Sequence, residues 1–317
     1  MSKRDPLGIT ERIDNITLVE GIYRHALLPP PPSVKIELTS RCNYKCGFCA
    51  TSQGLREKGD MDFELYMKIV SELKEIGVKE LGVFYLGESF LYPRLQDAIQ
   101  YARDVGIDYI FLTTNGSIST PSKMDACFRA GLNSLKFSFN YADEYQFKSI
   151  ARVKPAYFHK AISHIRAARE LIDRNGYDCK LYASYINYDG DQGDRMRYAL
   201  KQITPFLDEP PYALPLYNQG GYVDTDGIGK SIPGNVGRDA NRRDPLPCWA
   251  YFREGHITYD GLLVGCCFSH DERFTMGDLK TKSFMQCWNG KHAVETRNAH
   301  LAKDVTGTVC ETCVIYE

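Results

Sequence analysis

Strand and helix signals alternate between residues 34 and 217, and this alternation constrains the fold more than any other feature of the chain. Apolar runs predict six strands, at residues 34–38, 81–86, 109–113, 135–139, 180–186 and 213–217. Amphipathic stretches predict helices between them, at residues 62–76, 93–105, 121–130, 159–174 and 194–203. Repeated strand–helix units give a parallel sheet covered by helices, and right-handed connections wrap six of them into an open barrel. The sequence therefore predicts an α/β fold whose active site lies at the C-terminal ends of the strands.

Three further segments flank this predicted barrel of residues 34–217. Residues 1–33 end in four prolines and predict an extended lead-in without helical or strand periodicity. Residues 218–247 are rich in glycine and proline, which predicts a long linker or lid. Residues 248–317 are too few to hold a core alone and carry their own cysteines, so a metal centre would explain how they fold.

Charge and cysteine content exclude several classes of protein. The chain has 39 basic and 40 acidic residues, so neither a nucleic-acid footprint nor a basic membrane patch is expected. No apolar run approaches the ~18 residues of a membrane span. The chain has 11 cysteines, an odd number, and no signal peptide precedes them, which favours metal ligands over disulfides. We expect a cytoplasmic protein without nucleic-acid or membrane partners.

The cysteines at positions 42, 46 and 49 follow the first predicted strand directly. Three thiolates in one loop can hold three irons of a cubane cluster and leave the fourth iron open for a substrate or cofactor. A zinc site is the alternative, although zinc prefers paired cysteines and fills all four of its positions. The spacing favours an iron–sulfur cluster with an open iron.

With the aromatic Phe48 before its third cysteine, this loop resembles the signature of the radical S-adenosylmethionine (SAM) enzymes. The resemblance implies a 4Fe-4S cluster held by Cys42, Cys46 and Cys49, whose free iron is chelated by SAM. An electron from such a cluster splits SAM to give a deoxyadenosyl radical. Gly87-Glu88, with Leu86 in place of a first glycine, resembles the Gly-Gly-Glu motif that receives the SAM amino group.

The same resemblance implies four other contacts with SAM. Asn115 is expected near the ribose, and Phe48 is expected to offer its backbone or ring to the adenine. Ser138 and Arg152 match the serine and arginine that hold the SAM carboxylate, for which a guanidinium fork is well suited. A solvated surface charge remains the alternative for Arg152.

A second cysteine set resembles the twitch form of the SPASM extension, found in a subset of radical SAM enzymes. It consists of Cys248, Cys266, Cys310 and Cys313. The resemblance implies that these four thiolates ligate one auxiliary 4Fe-4S cluster. It also implies a partial (β/α)6 TIM-like barrel with a small C-terminal twitch/SPASM-like domain. A zinc ribbon built from the same four cysteines remains the alternative.

Two adjacent cysteines, Cys266 and Cys267, pose an assignment problem. If residues 261–268 form a strand or hairpin arm, the two side chains leave opposite faces, so that one ligates while the other faces away. Spacing from Gly261 favours Cys266 as the ligand. Cys267 then points toward the barrel mouth as a hydrogen-atom donor or packs within the small domain, and both interpretations stay open.

The twitch relatives include dehydrogenases and epimerases of aminocyclitols and aminoglycosides, which implies a small carbohydrate-like or aminocyclitol substrate. Our leading hypothesis is radical epimerisation with Cys267 as the hydrogen donor. The alternatives are alcohol dehydrogenation with electron transfer to the auxiliary cluster, modification of a ribosomal peptide, and a non-enzymatic zinc-binding protein. The cofactors implied are two 4Fe-4S clusters and SAM, and the reductant implied is a flavodoxin or ferredoxin.

Overall fold

The computed structural model describes residues 7–314, whose named strands form one sheet. The strands are β1 Ser33–Ile36, β2 Glu80–Gly82, β3 Tyr109–Thr114, β4 Ser134–Ser138, β5 Lys180–Ile186, β6 Tyr212–Leu214, β7 Glu254–Ile257, β8 Leu262–Val264 and β9 Thr275–Asp278. Their order across the sheet is β6-β5-β4-β3-β2-β1-β7-β8-β9. Strands β1 to β6 are parallel neighbours in chain order, which confirms the predicted α/β partial barrel.

Helices connect these strands and cover the sheet. They are α1 Ile9–Ile16, α2 Phe63–Glu75, α3 Leu95–Asp104, α4 Pro121–Arg129, α5 Glu144–Ala151, α6 Ala156–Asn175, α7 Gly190–Leu200, α8 Ala250–Arg253, α9 Phe284–Trp288, α10 Lys291–Leu301 and α11 Glu311–Val314. Local chemistry sets their ends. The side chain of Asp62 caps α2 by accepting a hydrogen bond from the amide of Leu65 at 2.9 Å. Gly176, at a φ of 65°, ends α6.

The predicted and observed barrel elements differ mainly at two places. The strand predicted over residues 81–86 ends at Gly82, because the chain then turns toward Gly87 and Glu88. Helix α5 was not predicted at all. It has only eight residues, and a helix this short depends on tertiary contacts for its stability.

The prediction that residues 1–33 lack a helix is wrong in the described part, because α1 forms there; residues 1–6 lie outside the described residues. Three isoleucines of α1 share one helical face and lie at the N-terminal end of the barrel: Ile9, Ile13 and Ile16. On the same face the buried Arg12 pairs with Glu80 of β2. Its guanidinium carbon also lies 3.6 Å from the ring centroid of Tyr109. Helix α1 therefore covers the end of the barrel opposite the cysteine loop.

The sheet continues from the barrel into the C-terminal segment. Strand β7 pairs in parallel with β1, and β8 and β9 follow as antiparallel neighbours. The condition that residues 261–268 form one strand or hairpin arm is not met at the two cysteines, because β8 ends at Val264 and both Cys266 and Cys267 follow it. Phe284 and Trp288 of α9 are fully buried and stack with ring centroids 5.9 Å apart. This core supports the turn that carries the two cysteines.

Side-chain alternation along the strands divides the barrel into an apolar shell and a polar interior. On β1, Val34 and Ile36 are completely buried in the hydrophobic core, whereas Lys35 lines an interior cavity. On β4, Leu135 and Phe137 face the core, whereas Ser134, Lys136 and Ser138 line the same cavity. Successive residues of a strand point to opposite faces, so the two sets separate. The interior polar set surrounds the candidate active site.

Candidate active site and cluster-binding loops

The cysteine loop of residues 42–49 is held by the end of α5. The backbone amides of Lys45 and Gly47 donate to the carbonyl oxygens of Ala151 and Ile150, at 3.0 and 2.8 Å. Helix termini leave such carbonyl groups without partners inside the helix, and here the loop supplies the donors. The helix that sequence reasoning missed is therefore the element that supports the loop.

The three thiols of this loop lie close together. Burial raises the pKa of Cys42 to about 12, with smaller contributions from the nearby Glu88 and Cys49. The pKa of Cys46 is also raised, first by burial and then by Cys49 and Cys42. The sulfur of Cys46 lies 2.9 Å from the hydroxyl oxygen of Tyr141. The loop thus gathers three thiols and one hydroxyl group that can bond to a ligating sulfur.

Gly87 and Glu88 lie against the start of this loop. A Cβ atom at Gly87 would fall 2.0 Å from the carbonyl oxygen of Thr39, so only glycine fits there. The buried Glu88 carboxylate accepts from the hydroxyl of Thr114 and the amide of Asn115, both at 2.8 Å, and from the amide of Phe90 at 3.2 Å. Burial raises the pKa of Glu88. Since a carboxylate has about four acceptor positions, one remains for an ammonium group.

The other predicted SAM contacts fall into two groups. Phe48 and Ser138 line the interior cavity, and the Phe48 ring stacks on Tyr141 with centroids 6.2 Å apart. The side-chain amide of Asn115 donates instead to Asn43 of the cysteine loop at 2.8 Å. Arg152 is exposed, but its guanidinium lies 3.3 Å from the position of a Cβ at Gly47, beside the loop. The structure therefore places Phe48, Asn115 and Arg152 in or beside the cysteine loop, and Ser138 on the cavity wall.

The C-terminal cysteines come from separate segments of the chain and converge. The pKa of Cys248 is raised, first by burial, then by Cys313 and Cys310 among other neighbours. Burial raises the pKa of Cys310 to about 12 and that of Cys313 to about 11. The amides of Gly220 and Gly234, from the glycine-rich linker, donate to Cys313. The linker thus closes over the second cysteine set.

Cys266 and Cys267 occupy different environments. Cys266 is buried, and its sulfur accepts from the amide of Phe268 at 3.3 Å. Its pKa is raised first by a hydrogen bond with Cys267, then by burial, and then by the charges of Cys267, Cys248 and Cys313. The sulfur of Cys267 lies on the cavity wall and accepts from the side-chain amide of Asn235 at 2.9 Å. Cys267 is also close enough to Cys313 to raise the pKa of that thiol.

The donor sets suit iron–sulfur clusters in number and in chemistry. The first set offers three thiols in one loop and the second offers four, and thiolates are the usual ligands of such clusters. Within residues 7–314, no three His, Cys, Asp or Glu side chains converge closely enough to hold a single metal ion. A cluster does not require such convergence, because it spreads its ligands over several irons.

Between the two cysteine sets the barrel encloses a cavity of about 350 Å³. Phe48 of the cysteine loop, Ser138 of β4 and Cys267 of the C-terminal segment all line it. Lys35 and Lys136 reach it from β1 and β4. The cavity thus connects the predicted SAM contacts to Cys267.

Sequence reasoning missed the charged groups of this cavity. The Nζ of Lys35 donates to Glu254 at 2.6 Å, and His256 lies 3.0 Å from the same carboxylate. Burial, followed by the charge of Lys35, lowers the pKa of Lys136 to about 7. A signal for the lysines was present, since each stands between two apolar residues of a strand and so takes the opposite face.

Comparison with known families agrees with both cysteine sets. A model of the radical SAM superfamily matches residues 36–187, which include the cysteine loop and strands β2 to β5. A model of an iron-sulfur cluster-binding domain, SPASM, matches residues 248–314, which include all four C-terminal cysteines. The chain belongs to the radical SAM superfamily. Members of this superfamily are enzymes, and the predicted family is confirmed.

Two kinds of cofactor follow from membership of this family. A radical SAM domain binds a 4Fe-4S cluster and SAM, and the SPASM domain binds an auxiliary iron–sulfur cluster. The first cysteine set fits the former group and the second set fits the latter. The predicted cofactors are therefore confirmed.

Curated relatives match only parts of the radical SAM chain. The GTP 3',8-cyclase of Chlorobaculum tepidum is 31% identical over 120 residues, which are 38% of this chain and 36% of that protein. The PqqA peptide cyclase of Gluconobacter oxydans is 31% identical over 151 residues, which are 47% of this chain and 40% of that protein. The matched segments thus span well under two thirds of these relatives.

Solved structures share the fold over most of the chain. BtrN in complex with AdoMet and 2-DOIA superimposes with a TM-score of 0.59 and 16% identity, covering 89% of this chain and 91% of BtrN. Streptococcus suis SuiB bound to its precursor peptide SuiA gives a TM-score of 0.64 and 14% identity, covering 86% of this chain and 68% of SuiB. At these identities the likeness establishes the fold alone.

Within residues 7–314, no helix combines the length and the apolar character that crossing a bilayer requires.

Proposed function

We propose that this radical SAM enzyme epimerises a carbon of a small carbohydrate-like substrate, with Cys267 as the hydrogen-atom donor. The observation that carries the proposal is the position of Cys267 on the wall of the cavity that Phe48 and Ser138 also line. Among the described residues, Cys267 is the one cysteine on that wall. A substrate in the cavity would therefore be able to contact this thiol.

The local hydrogen bond prepares Cys267 for this role. Asn235 donates its amide hydrogen to the sulfur at 2.9 Å, so the sulfur acts as the acceptor and the S–H hydrogen is left to point elsewhere. Cys266 and Cys267 both lie near Cys248 and Cys313, but Cys266 does not line the cavity, which supports its assignment as the fourth ligand of the auxiliary cluster. The two adjacent cysteines would then divide ligation and hydrogen donation between them.

A cluster held by Cys42, Cys46 and Cys49, together with SAM, would supply the radical chemistry that takes a hydrogen atom from the substrate. The S–H bond of Cys267 then breaks and a C–H bond forms on the opposite face of the carbon, which inverts its configuration. The sulfur radical left on Cys267 regains a hydrogen from one electron and one proton. We propose that the electron comes from a cytoplasmic carrier such as a flavodoxin or ferredoxin.

We propose that the SAM contacts are those identified from the family resemblance. Glu88 has an acceptor position left for the amino group, and Ser138 and Arg152 would donate to the carboxylate. Phe48, stacked on Tyr141, offers an aromatic face to the adenine. The cavity of about 350 Å³ falls within the range of small-molecule sites, which supports a small substrate over a peptide.

Incubation with candidate sugars and aminocyclitols in deuterated buffer tests the proposal. The thiol hydrogen exchanges with solvent, so the inverted carbon of the product should carry deuterium. Cys267→Ala should lose epimerisation, while the matched control Cys127→Ala, which removes a buried thiol of α4, should keep it. Retention of configuration without deuterium, or unchanged turnover in Cys267→Ala, would contradict the proposal.

Alcohol oxidation is a second candidate, and Lys136 is the observation that favours it. Oxidation of an alcohol radical requires a base for the hydroxyl proton, and an amine with a pKa of about 7 in the cavity meets that need. The auxiliary cluster would accept the electron. One ketone formed for each SAM consumed, without solvent deuterium at carbon, would favour oxidation over epimerisation.

A further inference from the structure

Charged groups on the wall of the barrel cavity are paired with one another, with one exception. Arg12 pairs with Glu80, and Lys35 pairs with Glu254. Arg238, from the linker, forms a double hydrogen bond with Asp14 of α1, at 3.0 and 2.8 Å. Among the cations that line the cavity in the described part of the chain, Lys136 alone has no carboxylate within ion-pair distance.

Lys136 contacts a tyrosine but pairs with no carboxylate among the described residues. Its Nζ donates to the hydroxyl of Tyr212 at 3.2 Å and lies 5.7 Å from the centroid of that ring. The charge of Lys35 opposes that of Lys136, whereas Glu254, which is itself paired with Lys35, favours it from beyond ion-pair distance. A buried ammonium without a counter-ion is costly, and an anion that enters the cavity would remove that cost.

The carboxylates of the cavity are already occupied by protein donors. Glu254 accepts from Lys35 at 2.6 Å, from His256 at 3.0 Å and from Ser33 at 3.3 Å. Glu80 is occupied by Arg12. The ammonium group of an amino sugar would therefore find little to pair with, whereas an acid would find the ammonium of Lys136.

Lys136 lies on β4 close to Ser138, the predicted SAM contact at the C-terminal end of that strand. It lies two residues before Ser138 on β4, and both side chains face the interior. At about 3.3 Å per residue this is a step of about 7 Å along the strand. A sugar-sized molecule can span that step, with its reacting carbon near the level of Ser138 and a second group at Lys136.

We propose that the substrate of this cavity carries an anionic group, a carboxylate or a phosphate, that pairs with Lys136. The inference rests on the proposed function, because it assumes that the substrate occupies this cavity. It narrows the substrate class from sugars and aminocyclitols in general to acidic sugars. It also gives Lys136 a binding role in place of the base that alcohol oxidation would require.

Calorimetric binding to the cluster-loaded protein with SAM, without reductant, tests the inference. Four probes share the pyranose ring and differ in charge: glucuronate, a glucose phosphate, glucose and glucosamine. We expect at least one of the two acids to bind about tenfold or more tightly than glucose, and glucosamine to bind most weakly. The better acid identifies the anionic group as a carboxylate or a phosphate.

Two further measurements tie the preference to Lys136. Lys136→Met should remove the advantage of the acids, whereas the exposed Lys201→Met on the outside should keep it. Near neutral pH, binding of the acid should take up protons, because the anion stabilises the charged amine; this is measured by repeating the titration in buffers of different ionisation enthalpy. Proton uptake is measured on the unaltered protein, so the test does not depend on the variant folding.

Several results would overturn the inference. They are equal binding of all four probes, no binding of any of them, tighter binding of glucosamine than of the acids, or an acid preference that survives in Lys136→Met. Because no turnover takes place, these results are separate from the fate of the proposed function. If solvent deuterium appears in a neutral product while the acids bind no better than glucose, the inference fails and the proposed function stands. If the acids bind better but no product carries deuterium, the proposed function fails and the inference stands.

Discussion

The two cysteine-bearing regions of this enzyme are built in opposite ways. The first places three thiols within eight consecutive residues and holds them with the amide contacts to the end of α5. The second collects four thiols from residues 248 to 313, using the turn after β8, the linker glycines and α11. The first is encoded locally and leaves one ligand position for SAM, whereas the second depends on the whole C-terminal fold.

This difference predicts unequal consequences for losing one thiol in each region. Cys46→Ala should lower the iron content from about eight to about four per chain and abolish SAM cleavage, because the open cluster starts the reaction. Cys310→Ala should lose a similar amount of iron but retain reductive cleavage of SAM. Iron analysis and deoxyadenosine formation measure both effects. SAM cleavage in Cys46→Ala, or none in Cys310→Ala, would remove the distinction.

The first region also depends on close packing of the backbone at Gly87. Gly87→Ala should destabilise the protein by about 2–4 kcal/mol, because its Cβ would lie 2.0 Å from the carbonyl oxygen of Thr39. Gly229→Ala is the matched control, since the nearest atom to its Cβ lies at 3.5 Å. Thermal unfolding of the two variants measures the difference. Equal midpoints would show that the cysteine loop can move away from Gly87.

Between the two regions, the charge on Lys136 should appear as a pH-dependent stability difference. Its pKa falls from 10.5 to about 7 on folding, so between these values the unfolded chain binds more protons. The stability of the unaltered protein should therefore rise with pH across that window relative to Lys136→Met, by at most about 1.4 kcal/mol per pH unit.

The same comparison gives the direction at neutral pH. Lys136→Met should be the more stable protein near pH 7 and should lose that advantage as the pH approaches 10.5. Unfolding midpoints measured across this range test the difference. A gap that stays constant with pH would mean that Lys136 is charged to the same extent in both states.

The smallest expected effect concerns the hydroxyl beside the first cluster. Tyr141→Phe removes the hydroxyl that lies 2.9 Å from the Cys46 sulfur, and loss of such a supporting group costs about tenfold or more in metal retention. The exposed Tyr145→Phe is the control. Iron release to a chelator measures retention in each. Equal release would show that the cysteine loop holds its cluster without Tyr141.

Sequence reasoning succeeded where the signal was local. The motifs that indicated the family, such as the cysteine loop, lie within a few consecutive residues. Each strand or helix of the alternating pattern is likewise a short continuous segment. The fold and the family are confirmed. Helix α5 and helix α1 were missed because tertiary contacts stabilise them. The linker that covers Cys313 also gave no sign of its contacts.

The cavity shows a different kind of limit. Lys35 and Lys136 could have been recognised as inward-facing charges from the period-two pattern of their strands. Their pairing could not, because Glu254, the partner of Lys35, comes from β7 more than two hundred positions away. Among the described residues, no carboxylate lies within ion-pair distance of Lys136, and this could be recognised only after all the residues that line the cavity were identified.

The central claim is that Cys266 holds the auxiliary cluster while Cys267 faces the substrate. Iron content after anaerobic purification of Cys266→Ala and Cys267→Ala tests it most directly, because the two variants differ by one position in the same turn. We expect about eight irons per chain in Cys267→Ala and about four in Cys266→Ala. Loss of the auxiliary iron in Cys267→Ala, with full iron in Cys266→Ala, would contradict it.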